Sequence, residues 1–154
     1  MKNLFNYRTV LGNIRIVEED GKITNLLFYN EPYPKEYEIK KTEILKQANI
    51  QLQEYFKKER KTFDLPINIK GTPFQQKVWD ILKSIPYGET RNYKEIANQM
   101  ESKTKIYKSI GSSCNQNPIP ILIPCHRVIG VDGDLKGYKG GIEMKRFLLH
   151  LESN

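Results

Sequence analysis

The chain has 154 residues, 38% of them hydrophobic, and its 25 lysines and arginines against 18 acids leave a formal charge of +7. That length suits one domain or two small ones, and no apolar run approaches the roughly 20 residues of a membrane-spanning helix. Two cysteines and two histidines are too few for a disulfide framework, and one four-ligand zinc site would consume all of them, so no metal is expected.

Residues 1–68 read as a small α/β domain. The start, Met1 to Asn6, lacks a signal-peptide core, which makes a cytoplasmic protein with reduced thiols the expectation. Val10 to Val17 alternates, with Ile14 and Ile16 on one face. Asp20-Gly21 is a hairpin turn signal, and Ile23 to Tyr29 returns as a second strand. Residues 31–35 hold two prolines and read as loop. Thr42 to Lys58 has helical spacing, with Leu45, Ala48, Leu52 and Phe56 on one stripe. Residues 57–61 form a charged, solvated helix end. Phe63 to Ile67 is extended, with Pro66 keeping it off a central strand. No chemical constellation occurs in this half, whose expected role is support.

Residues 69–154 form a second unit, mostly helical. Thr72-Pro73-Phe74-Gln75 is a helix start, with Thr72 as N-cap, Pro73 in the first turn and Gln75 completing a capping box. Phe74, Val78, Ile81, Leu82 and Ile85 make its apolar stripe, and Trp79 belongs to the core. Asn92 to Glu95 is a second capping box, opening a short helix through Ile96, Ala97 and Met100. A loop is expected at residues 101–103, then a third helix over about 104–115 with Ile106, Ile110 and Cys114 inward. Short helix, short loop and basic helix make a helix-turn-helix pattern, which many small bundles share. Asn117-Pro118 ends the third helix, because the residue before proline avoids the helical region. A last helix, Ile142 to Leu151, points Met144, Phe147, Leu148 and Leu151 inward. Glu152 follows it, where a carboxylate opposes the helix dipole unless something pairs with it; His126 is the candidate partner.

The charge is uneven. Residues 1–68 carry twelve basic and ten acidic side chains, residues 69–154 thirteen and eight. From Ser102 to Val131 there is no acid, but there are Lys103, Lys105, Lys108 and Arg127. Such a stretch suits a polyanion; a solvated lysine-rich face accounts for it equally well.

The chemistry concentrates in Ile123-Pro124-Cys125-His126-Arg127-Val128. The apolar run Ile119 to Leu122 reads as a buried segment that delivers Cys125 to the edge of a core, and Gly130 to Asp134 is turn chemistry. Only a thiolate attacks, so a base or cation beside the thiol raises its reactive fraction. His126 is positioned to be that base and Arg127 to add positive potential or to anchor the turn. Neighbours on a straight strand point apart, so Cys125 and His126 need a turn or a bridging water. A buried, inert cysteine is the ordinary alternative.

Asn117-Pro118, the apolar run, Pro124-Cys125-His126-Arg127-Val128 and Gly137-Tyr138-Lys139-Gly140-Gly141 resemble the O6-alkylguanine-DNA alkyltransferase family over about residues 71–152. The resemblance implies a ribonuclease H-like N-terminal domain and a winged helix-turn-helix C-terminal domain. It implies irreversible, single-turnover transfer of the methyl or alkyl group from O6-alkylguanine in double-stranded DNA to Cys125, without a cofactor, by a monomer. Residue by residue, Cys125 matches the alkyl acceptor and His126 the base acting through a water. Glu152 matches the carboxylate that orients this histidine, Asn117 the hinge asparagine, and Tyr93 the tyrosine whose hydroxyl donates toward the purine. Tyr138 and Lys139 match the loop lining the base pocket. A duplex hides the methyl group, so the nucleotide must be extruded. Lys108 stands where the family has an arginine that fills the gap in the stack, and lysine lacks the planar guanidinium. Ser109, Ser112 and Ser113, with Gly111, are small enough for close approach to DNA; close helix packing would also account for them. Two alternatives remain: an alkyltransferase-like protein that binds and flags damage without repairing it, although such relatives lack the acceptor cysteine, and an unrelated thiol enzyme such as a peptidase.

Overall fold

The structure is a computed structural model describing residues 1–101 and 106–153. The chain divides into two compact units, Met1–Ile69 and Lys70–Asn154.

The first unit is a four-stranded sheet in the order β3-β2-β1-β4, with one helix against it. Strands β1 (Lys2–Thr9), β2 (Gly12–Glu19) and β3 (Lys22–Leu27) form an antiparallel meander, and β4 (Tyr37–Ile39) adds in parallel to β1. The expected Asp20-Gly21 turn is present. Both residues take positive φ, 53° and 78°, and Glu19 pairs with Lys22, the geometry whose twist suits a two-residue hairpin. The alternating strand is shorter than expected. Val10 lies in the preceding turn and is exposed, and the strand begins at Gly12, where φ is +90°. β1 and β4 had no counterpart in the sequence reading.

Residues 14–18 of β2 are buried on both faces. Val17 packs with Leu4 and Leu27, while Arg15 satisfies its guanidinium on the carbonyls of Glu31 (2.9 Å) and Tyr29 (2.7 Å). Helix α1 (Glu43–Phe56) buries Leu45, Ala48, Leu52 and Phe56, the expected stripe, and adds Gln51 and Tyr55. Pro66 sits in an extended segment at the sheet edge. Its carbonyl accepts from the Ile23 amide at 2.9 Å, so the missing proline N–H costs nothing there.

The second unit is built on α2 (Pro73–Lys83), α3 (Tyr93–Gln99), α4 (Tyr107–Asn115) and α5 (Ile142–Glu152), with a two-residue parallel pairing of β5 (Arg91–Asn92) and β6 (Val128–Ile129). Both capping boxes form. Thr72 Oγ1 accepts from the Gln75 amide while Gln75 accepts from the Thr72 amide, and Asn92 and Glu95 do the same. Trp79 is 1% exposed and its indole N–H donates to the Ser113 carbonyl at 2.9 Å, tying α2 to α4. Burying that ring contributes about 3–5 kcal/mol on the scale of truncating a core aromatic. The expected loop after Glu101 and the first residues of the third helix fall on 102–105, outside the described residues. The last helix buries Leu148 and Leu151 as expected and half-buries Met144, but Lys145 and Glu152 join the buried face while Phe147 is exposed.

Candidate active site

The thiol is delivered by chain geometry that the sequence half discloses. Asn117 is fully buried just beyond α4. Its Oδ1 accepts from the Ile119 amide at 3.0 Å and its Nδ2 donates to the Ile123 carbonyl at 2.8 Å, so one side chain clamps both ends of the apolar run. Within the run Ile119, Ile121 and Ile123 are buried, and Ile121 is held at φ +77°, an unusual conformation for a β-branched residue. The chain then enters a single 3₁₀ turn, Cys125–Arg127, closed by the Arg127 amide donating to the Pro124 carbonyl at 3.0 Å. This turn is the departure from a straight strand that a Cys–His neighbour pair requires.

Glu152 holds the other side. Its carboxylate lies 2.7 Å from His126 Nε2 and accepts from Arg127 Nε at 2.8 Å and Nη2 at 3.0 Å. Arg127 Nη1 donates to the Ile85 carbonyl at 2.6 Å. An ionised carboxylate only accepts, so the bond fixes the proton of His126 on Nε2 and leaves a lone pair on Nδ1. Nδ1 is buried and has no hydrogen-bond partner among the described residues. Burial holds the histidine's pKa below its ordinary value, against the pull of Glu152. The ring is therefore neutral at pH 7 and able to accept a proton.

Cys125 is 3% exposed and opens on a cavity of about 240 Å³ bounded by Tyr93 and Gly111 of the α3–α4 side, Cys114, and Tyr138 and Lys139 of the loop before α5. Burial raises the thiol's pKa; a hydrogen bond from Asn117 and the positive charges of Lys145 and Lys139 oppose that rise. Burial also pushes the Tyr93 hydroxyl up to about 12, helped by Cys114 and Cys125, so it stays protonated and can donate. Cys114 is raised too, chiefly by burial, which suits its expected packing role.

Lys145 went unnoticed in the sequence. It is 1% exposed and makes no ion pair among the described residues. Its Nζ donates to the carbonyls of Val128 (2.6 Å), Leu135 and Gly137 (3.3 Å), gathering the loop that walls the cavity. Burial lowers its pKa, and the two cysteines oppose that. A lysine in an amphipathic helix reads as solvent-facing; the one signal available was that the apolar stripe of residues 142–151 fits a face centred on Lys145 as well as one centred on Phe147.

The residues expected to meet DNA divide. Lys108, Ser109 and Ser112 are exposed along α4, whereas Ser113 is buried with its hydroxyl donating to the Ser109 carbonyl at 3.0 Å. Arg127, grouped with them from sequence, is 7% exposed and committed to Glu152 and Ile85; its place is the anchoring one. Lys139 Nζ donates to the Asn117 carbonyl at 3.2 Å and faces the cavity rather than the outer surface.

A family model described as 6-O-methylguanine DNA methyltransferase, DNA binding domain, matches residues 73–154, and one described as the ribonuclease-like domain of the same proteins matches residues 6–69. The chain belongs to this family. A relative from Bacillus subtilis, a constitutive methylated-DNA–protein-cysteine methyltransferase, is 47% identical over 94% of this chain and 91% of its own length. A protein of that name, without the qualifier, from Mycobacterium bovis is 39% identical over 98% and 94%. The crystal structure of Mycobacterium tuberculosis OGT in complex with DNA superposes with a TM-score of 0.92 at 38% identity, covering 98% of this chain and 92% of that one. The family thus accounts for both units: a ribonuclease-like N-terminal domain and a DNA-binding C-terminal domain. Among the described residues no helix is long and apolar enough to cross a membrane.

Proposed function

We propose that this protein repairs DNA by moving the methyl or larger alkyl group from O6 of guanine in a duplex to Sγ of Cys125, once per molecule. The observation that carries the reading is the buried His126 Nδ1, held by Glu152 in the acceptor tautomer, next in the chain to a thiol that opens on a cavity of about 240 Å³. His126 takes the thiol proton, across a bridging water. Sγ forms a bond to the alkyl carbon as the carbon–O6 bond breaks. Tyr93 donates toward the departing purine, so the exchange is an alkyl group for the thiol proton and needs no cofactor. The thioether product is not reversed by simple hydrolysis, and turnover stops at one.

In this reading Asn117 holds the Cys125 loop in place, Tyr138 and Lys139 line the base pocket, and Lys108, Ser109 and Ser112 meet the DNA. The helices α3 and α4 act as a helix-turn-helix, with the loop after β6 as its wing, and residues 1–68 act as support. The protein works as a cytoplasmic monomer.

The test is the intact mass after incubation with a duplex carrying one O6-methylguanine, followed by peptide mapping. One added methyl on Cys125, in one-to-one yield, is expected, and Cys125→Ser should bind the lesion without gaining mass. Binding of the lesion by the unaltered protein with no mass change would replace the reading with damage recognition alone.

A further inference from the structure

The cavity that holds Cys125 has a neighbour on its α3–α4 side. Tyr93 and Gly111 line it, and they also line a second, more open groove of about 580 Å³. One wall of that groove is Tyr107 and Lys108 of α4; the other is Gly130, Val131, Asp132 and Lys136 of the loop after β6. Tyr107 is half-buried, with its ring centroid 6.4 Å from that of Tyr93 and tilted 37° to it. That separation is within ordinary aromatic contact. Val131 is 56% exposed. The groove is thus a mostly apolar slot with one aromatic face and a rim of mixed charge, and it adjoins the thiol cavity at Tyr93 and Gly111.

The occupant follows from the chemistry of the walls. A flat apolar slot beside a tyrosine face fits a nucleobase, since every base presents a π-face to stack on. Lys108 is exposed at the start of α4 next to it and offers its charge to a flanking phosphate, whereas on the opposite rim Lys136 is paired with Asp134 at 3.6 Å and lies beside Asp132. Lys108 has no planar group of its own to offer a base, and the adjacent residue in the chain supplies one.

We infer that this outer groove is a staging subsite for the extruded purine, which stacks on Tyr107 as it crosses between Tyr93 and Gly111 toward Cys125. The inference rests on the proposed alkyl transfer. Tyr107 is a substrate-stacking residue; the thiol chemistry does not involve it. Its ring lowers the barrier to insertion of the base, a demand that only substrate in a duplex makes. O6-methylguanine supplied as the free base needs no extrusion and reports on the cavity and thiol alone.

The experiment compares Tyr107→Ala and Tyr107→Phe with the unaltered full-length protein. Three quantities are read: single-turnover methyl transfer from saturating O6-methylguanine duplex, transfer from the free base, and affinity for unmodified duplex. Tyr107→Ala should slow duplex transfer roughly five- to a hundredfold, the range a lost base–aromatic stack allows. Free-base transfer and plain-duplex affinity should stay within about twofold, and Tyr107→Phe should restore the duplex rate. Unchanged duplex transfer in Tyr107→Ala, equal losses on duplex and free base, or failure of Tyr107→Phe to restore the rate would each overturn the subsite. Absence of any transfer by the unaltered protein would instead overturn the alkyl-transfer reading beneath it.

Discussion

Replacing Glu152 by glutamine tests the site most directly, because the change is nearly isosteric and removes only a charge and an acceptor. The carboxylate holds three side-chain hydrogen bonds, one with His126 and two with Arg127. Bonds to a charged partner are worth about 1.5–3 kcal/mol and neutral ones about 0.5–1.5, so the amide forfeits about 1 kcal/mol at each. The sum, about 3 kcal/mol, falls at the lower edge of the roughly 3–5 kcal/mol measured when one member of a buried pair is left alone. For a chain of this size that lowers Tm by about 6–12 °C. The effect on chemistry is separate. With its oxygen kept on Arg127, the amide turns its N–H toward His126 Nε2, which must then accept. The ring proton moves to Nδ1, and the nitrogen proposed to accept the thiol proton becomes a donor. Loss of a positioned base costs about 10²–10⁴ in rate. The assay pairs a thermal melt with single-turnover methyl transfer from an O6-methylguanine duplex well below the new Tm. A folded variant that loses the stability yet transfers within about threefold of the original rate would refute the tautomer argument and leave Glu152 a purely structural residue.

Three further outcomes are expected. Lys145→Met removes a positive charge that opposes the raised pKa of Cys125, so the pH profile of Cys125 alkylation by iodoacetamide should move to higher pH; an unmoved profile would show that Lys145 serves the loop alone. His126 has a folded pKa below its ordinary value; its contribution to stability is complete above about pH 6.5 and is lost as the pH falls below that value toward the folded pKa. Tm should accordingly drop between pH 7.5 and 5.5, by less in His126→Gln; an equal drop in both would assign the acid sensitivity elsewhere. Gly71→Ala brings a Cβ to 2.5 Å from the Trp79 ring, which is walled in, and should destabilise by about 1–3 kcal/mol as overpacking does, read as a lower urea midpoint with unchanged slope.

What the sequence disclosed and what it hid follow one physical division. Features written within a few residues were legible: the two capping boxes, the Asp20-Gly21 hairpin, the Leu45-to-Phe56 stripe, and the thiol beside its histidine. Features whose meaning lies in a distant partner were not. β1 contains Lys2, Asn3, Asn6 and Arg8, and its strand character comes from pairing along β2; β4 is three residues that pair with β1 and are otherwise indistinguishable from loop. On α5 the spacing places Leu148 and Leu151 inward correctly, but a lysine counts as polar in any periodicity, and three carbonyls from another part of the chain make a socket for Lys145 while Phe147 stays outside. Charge left Arg127 two roles, partner of a polyanion or anchor of the turn, and the carboxylate that decides for the anchor is 25 residues away. At Glu152 the dipole argument succeeded because it posed a local problem, an anion at the wrong end of a helix, that only a partner solves.

His126 and Glu152 stand 26 positions apart in the chain, so the tautomer of the histidine is a property of the folded unit and not of the local sequence. The carboxylate reaches Nε2 only when α5 lies against the 3₁₀ turn that carries the thiol and the imidazole. Before that docking the ring is free to carry its proton on either nitrogen. The acceptor and its base are thus assembled by one packing event, and any loosening of α5 undoes both the ion pair and the proton's address.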